Sequence, residues 1–352
     1  MIRLLSSCAA GKAYGQELDR VLRSPGTHLV VQQQNISRRV TTEQYRTILE
    51  AACAGKTAVV KPAEPGERAK RGVQGLTEDV RPSLQWGREH LSYLAALLTE
   101  LRQSRGMEGV LPLTRKYLPE GTPLRAKFYV VMGGRAGAAA IEDNLYYDVL
   151  SSAWRASRGQ SPPVSPDAVL EFFSHEAHHL GYGQILDKKR AALPLTPAED
   201  QAWRFLTAIM MEGSATFLIN GRESLTKVQQ MPGFQQYATK VPALLPAMQE
   251  ILRKALAGPL SDEEYDRASA DFLGMGYHAA GVQLLGVIEE KRGLKGVMQA
   301  MADPRRLLTL YNDCASVRGS FRFDPELATR VAHLGDPEAG QVRSPSSLWT
   351  GQ

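Results

Sequence analysis

The stretch that decides the fold is residues 165–181, which read SPDAVLEFFSHEAHHLG. Ser165 is a candidate N-cap, Pro166 suits the first helical position and an acid follows, so a helix is predicted to begin here. His175 and His179 stand four residues apart, which places both imidazoles on one face of that helix. The sequence matches H-E-x-x-H, a pattern in which two such imidazoles bind one Zn²⁺.

Glu176, the residue that follows His175, carries the chemistry expected of this motif. A carboxylate beside the first ligand can take a proton from a metal-bound water. Phe172 and Phe173 predict a buried helix, and burying imidazoles and a carboxylate without partners would be costly. We therefore predict that this helix binds one Zn²⁺ per chain. The alternative is a surface helix whose His and Glu side chains are only solvated. His178 lies about 60° from His175 and about 100° from His179 around the helix, outside the four-residue register, and is not expected to bind the ion.

The third protein ligand of a catalytic zinc site has two candidates downstream. Glu199 follows His179 by 20 residues, the spacing seen in thermolysin-like enzymes. It also ends the sequence Thr-Pro-Ala-Glu that begins at Thr196. That sequence is typical of a capping box at a helix start, which explains Glu199 without a metal. The second candidate, Glu212, follows His179 by 33 residues and is favoured.

Glu212 stands inside an apolar helix predicted over residues 197–219. A lone carboxylate in such surroundings needs a metal ion or a cation as its partner. The alternative to zinc binding is therefore a buried pair with Arg204 or Arg222. Gly213, the next residue, is small enough to let a second helix approach closely.

The motif and the later sequence Glu212-Gly213-Ser214-Ala215 resemble the gluzincin metallopeptidases. They look more closely like the largely uncharacterised families of zinc-dependent peptidases that combine H-E-x-x-H with a later E-G-x-A helix. The similarity covers about residues 125–315 and continues in GMGYHAAG at 274–281. It implies a zincin-like metallopeptidase domain that acts on a peptide or protein substrate. The site residues that it implies are His175, His179 and Glu212 as zinc ligands, and Glu176 as general base and acid.

Two further residues are candidates for stabilising the negative charge that develops on the carbonyl oxygen during peptide hydrolysis. Tyr277 and His278 lie in the Gly-rich opening at 274–281, and a Tyr hydroxyl or a His N–H commonly serves this role. Packing of Tyr277 in the core, with its hydroxyl satisfied, is the alternative. The segment AKFYVVM at 126–132 is followed by glycines and could pair, as an edge strand, with an extended peptide.

The chain as a whole predicts an α+β fold that is predominantly helical, with a small mixed N-terminal part. Strands are predicted at 126–132 and 144–150. The sequence HLVVQQ at 28–33 is interpreted as another short strand or extended segment. From residue 166 onward, the spacing of apolar residues is helical for most of the chain.

The predicted domains are a mixed N-terminal region at 13–125 and a zincin-like metallopeptidase domain at 126–325. Residues 335–352 are rich in Gly, Pro and Ser and predict a flexible tail. Leu5-Ser6-Ser7-Cys8 resembles the bacterial lipobox, which favours residues 1–12 as the remnant of a signal and an exported or periplasmic location. Without that signal, the expected location is cytoplasmic.

Composition excludes several classes of protein. The 352 residues are 43% hydrophobic and 22% charged, with a net charge of +5, which is an ordinary globular composition. The sequence has no apolar run long enough for a transmembrane helix. Its Lys and Arg residues do not form the basic stripe expected of a nucleic-acid-binding protein. Cys8, Cys53 and Cys314 are too few and too scattered for a disulfide framework or a cysteine zinc site.

The function that these observations favour is zinc-dependent peptide hydrolysis, in which Glu176 activates a zinc-bound water. Two alternatives stay open. One is a zinc hydrolase that acts on a non-peptide amide, and the other is a non-catalytic binding or scaffold protein that zinc stabilises. Glu176 favours catalysis, because a purely structural zinc site has no use for an acid at that position.

Overall fold

The computed structural model describes the chain apart from residues 39, 57, 59, 62–66, 135–136, 224, 273–274, 316–320 and 337–352. The described residues are mostly helical and include one three-stranded sheet, which confirms the α+β class with its helical majority. Most of the predicted tail at 335–352 lies outside the described residues.

The chain forms two compact units. The first comprises residues 1–117, 123–180 and 223–228, and the second comprises residues 118–122, 181–222 and 229–352. The prediction of domains at 13–125 and 126–325 was made from sequence patterns and stays a prediction. Among the described residues, no helix combines the length and the apolar character needed to cross a bilayer.

The described residues of the first unit form eight helices, a sheet and the start of a ninth helix. The helices are α1 (Ile2–Ala9), α2 (Gly15–Leu22), α3 (Pro25–Arg38), α4 (Thr42–Cys53), α5 (Glu67–Glu89), α6 (Leu91–Gln103), α7 (Gly106–Arg115), α8 (Val149–Ser157) and α9 (Pro166–Ala191). Helix α9 continues into residues of the second unit from Gly181 onward.

The sheet of the first unit has the strand order β1-β3-β2, formed by β1 (Lys127–Val131), β2 (Ala138–Ile141) and β3 (Asn144–Asp148). Strand β1 runs parallel to β3, and β2 runs antiparallel to it. The strand predicted at 126–132 is therefore confirmed, and the one predicted at 144–150 is confirmed as far as Asp148, since helix α8 begins at Val149. Phe173 of α9 packs against Phe128 of β1 and Tyr147 of β3, with ring centroids 5.3 and 6.2 Å apart. These contacts hold the helix that carries the histidine motif against the sheet.

The predicted strand at 28–33 is wrong, because these residues lie within helix α3. The helix starts with Pro25 at a position that suits it, and the Ser24 hydroxyl accepts a hydrogen bond from the Thr27 backbone N–H at 3.3 Å. Val30 is fully buried on this helix. A short apolar run fits a buried helix as well as a strand, so local helix-start signals decide between them.

A disulfide joins Cys8 at the end of α1 to Cys53 at the end of α4, with the two Cα atoms 5.1 Å apart. Arg88 of α5 donates hydrogen bonds of 3.3 Å to the backbone carbonyls of both cysteines. The scattered cysteines gave no hint of this single bridge, because residues 45 positions apart meet only in the folded chain. One sulfur cannot hold both this disulfide and a lipid, so the two interpretations of Cys8 exclude each other.

The second unit is helical. After the end of α9 it contains α10 (Pro197–Ala215), a π-helix (Thr216–Glu223), α11 (Pro232–Ala238), α12 (Val241–Ala257), α13 (Asp262–Ala268), α14 (Gly276–Ala302), α15 (Leu307–Cys314) and α16 (Pro325–Ala332). Among the residues described here, short 3₁₀ turns also occur at Val228–Gln230, Ala270–Phe272 and Pro304–Arg306.

Replacement of both Cys8 and Cys53 by Ser should lower the free energy of unfolding by about 2–4 kcal/mol, because the crosslink closes a loop of 45 residues in the unfolded chain. Thermal melting with and without a reductant measures this. Reductant should lower the Tm of the wild type and leave that of the double variant unchanged. Peptide mass mapping that finds a lipid on Cys8, or two free thiols, would contradict the disulfide.

Candidate metal centre

Helix α9 positions the two motif histidines. Its N-cap is Ser165, whose hydroxyl accepts a hydrogen bond of 3.2 Å from the backbone N–H of Ala168, as the sequence predicts. The rings of His175 and His179 lie one turn apart, with centroids 4.5 Å apart and planes at 85°. His175 is 8% exposed and His179 is half-buried, so the pair lies at the edge of the packed interior.

Three side chains form a group that can hold a metal ion. His175, His179 and Glu212 each offer one ligand atom, and these atoms all lie within 4.8 Å of one another. Two imidazole nitrogens and a carboxylate oxygen form a ligand set that zinc uses in catalytic sites. Glu176, the predicted base, is half-buried on α9 beside His175.

His178 is not a member of this group. Its side chain is completely buried. Burial lowers the pKa of the His178 imidazole well below its ordinary value, and the neighbouring His179 and His175 lower this pKa further. His178 was not expected to bind the ion, and its buried ring lies outside the group of candidate ligands.

Glu212 lies on α10 and reaches a histidine of α14. Its Oε2 is 3.3 Å from Nε2 of His278, and its side chain is 34% exposed. The apolar sequence around it predicted deeper burial than this. The two arginines considered as alternative partners pair elsewhere, Arg204 with Asp200 at 3.4 Å and Arg222 with Glu289.

Glu199, the other candidate third ligand, forms the predicted capping box. Its Oε2 accepts hydrogen bonds of 2.9 Å from both the backbone N–H and the hydroxyl of Thr196. Its Oε1 accepts a bond of 3.3 Å from the backbone N–H of Gly335. Burial would raise the pKa of Glu199, but these hydrogen bonds outweigh burial and the pKa falls below its ordinary value. Both oxygens of the Glu199 carboxylate thus accept hydrogen bonds, from the helix start and from Gly335.

Helices α10 and α14 cross at two glycines. A Cβ added to Gly213 would lie 2.4 Å from the Cα of Gly281, and a Cβ added to Gly281 would lie 2.4 Å from the Cα of Gly213. The predicted close approach of a helix at Gly213 is therefore confirmed. The crossing is one residue from Glu212 and three residues from His278, which accounts for their contact across the two helices.

The two predicted oxyanion candidates, Tyr277 and His278, have different surroundings. His278 lies against Glu212. The Tyr277 ring packs against Phe272 and Phe205, with centroids 5.5 and 6.0 Å away. Burial raises the pKa of the Tyr277 hydroxyl, although a hydrogen bond with Ser269 acts to lower it. The structure therefore places Tyr277 in an aromatic cluster, as its packing alternative describes, and its oxyanion role stays a prediction.

Thr216 was not identified from the sequence, although it touches the site. Its hydroxyl is 2.7 Å from Nδ1 of His278. The available signal was its position four residues after Glu212, which places both residues on one helix face. That signal is weak, because it does not identify the histidine 62 residues further along the chain.

A family model described as "Putative zinc dependent peptidase (DUF5700)" matches residues 18–318, and the chain belongs to this family. The matched range includes all three residues of the candidate metal group. The resemblance to zinc-dependent peptidases is thereby confirmed at the level of this family description. No curated protein and no solved structure matches the chain.

Substitution of Gly281 by Ala should reduce the free energy of unfolding by about 1–3 kcal/mol, because the new methyl group has no room beside Gly213 and the Ile209 carbonyl oxygen. Gly286→Ala is the matched control on the same helix. There, the nearest atom to an added Cβ is Phe217 Cε2 at 3.8 Å, so the gain in helix propensity should stabilise the protein by up to about 1 kcal/mol. Equal effects in denaturant unfolding would contradict a tight crossing.

Proposed function

We propose that the protein is a zinc-dependent peptidase of the gluzincin type with a zincin-like fold. The observation that carries this proposal is the group of three ligand atoms within 4.8 Å of one another, two of them on the H-E-x-x-H helix. In this proposal His175, His179 and Glu212 hold one Zn²⁺. The family description supports the choice of zinc and of a peptide or protein substrate.

The ligand set fits a catalytic rather than a structural zinc site. Two imidazoles and one carboxylate are three protein ligands, whereas structural zinc sites use four. When bound, the ion would polarise the substrate carbonyl and lower the pKa of water. The partial exposure of Glu212 leaves access for a substrate on its side of the group.

Glu176 supplies the acid–base chemistry in this proposal. Its carboxylate takes a proton from the attacking water as the water oxygen bonds to the carbonyl carbon. The same carboxyl group then gives that proton to the amide nitrogen as the carbon–nitrogen bond breaks, so it ends the cycle ionised. Its position next to His175 in the chain keeps it beside the ligand group.

Two further elements are proposed to act on the substrate. The Tyr277 hydroxyl is the proposed donor to the developing oxyanion, which requires it to exchange its present partner Ser269. Strand β1 lies at an edge of the sheet, so its backbone is a candidate for pairing with an extended peptide.

An exported or periplasmic location is also a proposal. The Cys8–Cys53 disulfide supports it, because disulfides form and persist in oxidising compartments. The lipobox-like sequence does not add to this support, since Cys8 is already bonded to Cys53.

Glu212→Gln should abolish stoichiometric zinc binding, whereas Glu199→Gln should retain it, because Glu212 belongs to the ligand group and Glu199 holds a helix cap. Metal analysis after dialysis, at one ion per chain for the wild type, measures both variants. Retained zinc in the first variant together with lost zinc in the second would reverse the assignment of the third ligand.

Glu176→Gln should keep zinc and lose peptide hydrolysis by a factor of at least about 10², because the amide cannot accept the proton. The assay is a diverse peptide library with and without a chelator, and chelation should also abolish wild-type cleavage. A zinc-loaded wild type that cleaves no peptide but hydrolyses other amides would favour the non-peptide hydrolase. Inactivity toward both classes of substrate would favour the scaffold alternative.

A further inference from the structure

A chain of hydrogen-bonding groups leads from Thr216 to the Glu212 carboxylate within the second unit. Nε2 of His278 is 3.3 Å from Oε2 of Glu212, and Nδ1 of the same ring is 2.7 Å from the Thr216 hydroxyl. A carboxylate only accepts hydrogen bonds, so a bond from this ring to Glu212 requires the proton of the neutral imidazole on Nε2. In that tautomer Nδ1 accepts, and the Thr216 hydroxyl donates to it.

Thr216 is itself firmly held. It is 1% exposed and is the first residue of the π-helix. The Gln229 side-chain amide donates a hydrogen bond of 2.8 Å to its backbone carbonyl. That amide also fills the space beside Gly221, where an added Cβ would lie 2.7 Å from its nitrogen. The Thr216 hydroxyl therefore acts from a fixed position.

The other end of this series of hydrogen-bonding groups, at His278 and Glu212, is fixed by the packing of two helix backbones. The Gly213–Gly281 crossing sets the distance between α10 and α14 immediately beside Glu212 and His278. The His278 side chain is 17% exposed, so water has limited access to compete for its ring nitrogens. The ring consequently has few orientations, and the present one directs Nε2 at the carboxylate.

We propose that Thr216 and His278 are positioning residues for the metal ligand Glu212. Thr216 holds the His278 ring in one tautomer and orientation, and His278 donates to one carboxylate oxygen so that the other is directed to the ion. This proposal rests on the proposed function, since it takes Glu212 as a zinc ligand. It gives His278 a role different from the oxyanion stabilisation predicted from the sequence.

Partners of this kind measurably affect metal binding. Loss of a group that orients a metal ligand typically weakens metal affinity by about 10–100-fold. A contact that only joins two helices would change the melting temperature and leave the affinity for zinc nearly unaltered. Zinc affinity therefore distinguishes a positioning role from a structural one.

The test measures zinc affinity of the full chain by competition with a chromogenic chelator. Thr216→Val keeps the shape of the side chain and removes the hydroxyl, and it should weaken binding by about 10-fold or more. Thr216→Ser keeps the hydroxyl and should restore most of the affinity. Melting curves of both variants confirm that each is folded.

His278 provides a second, independent pair of variants. His278→Leu removes the donor to Glu212 and should weaken zinc binding by about 10–100-fold. His278→Gln places an amide N–H near the position of Nε2 and should recover part of this loss. The double variant Thr216→Val/His278→Leu should bind zinc no more weakly than His278→Leu alone, because Thr216 acts through His278.

The outcomes separate this proposal from the proposed function. Unchanged zinc affinity in Thr216→Val and His278→Leu, with zinc lost in Glu212→Gln, would overturn the positioning role and leave the zinc site intact. Additive losses in the double variant would overturn the order of action from Thr216 through His278. A wild type that binds no stoichiometric zinc would overturn both proposals.

Discussion

The arrangement of Glu212 and His278 in the second unit depends on a crossing of two helices at which both contacting residues are glycines. At Gly213 and Gly281 the backbones of α10 and α14 meet so closely that neither position has room for a Cβ. This approach brings His278 of one helix to Glu212 of the other, and the donor that faces the proposed zinc ligand comes from that contact. The role proposed for Glu212 therefore depends on an uncharged backbone contact between two glycines.

Much of the structure around the motif was predictable, because the deciding interactions are local. The N-cap at Ser165 and the capping box of Thr196 with Glu199 each involve residues three positions apart, so the sequence displays both partners together. The strands near 127–131 and 144–148 followed from their β-branched and aromatic content. His175 and His179 were recognisable because a helix converts a spacing of four residues into one face.

Interactions between distant segments were less predictable. The choice of Glu212 over Glu199 rested on surroundings rather than spacing, and the contact with His278 joins residues that no local pattern relates. For the same reason Thr216 gave only a weak signal and Cys53 gave none, since their partners lie 62 and 45 positions away. The strand predicted at 28–33 was wrong for a different reason. Its apolar run fits a buried strand and a buried helix equally well, and only the helix-start signal before it distinguishes the two.

The bridge between Cys8 and Cys53 also changes what a protease can release from the first unit. A cut at any peptide bond between these cysteines leaves the two pieces covalently joined, so the short N-terminal helix α1 stays attached to α4. Arg88 adds non-covalent contacts at the same point, because its guanidinium binds the carbonyls at the ends of both helices. A molecule cut once in this loop would thus remain a single covalent species, with this part of its packing, until a reductant separates the fragments.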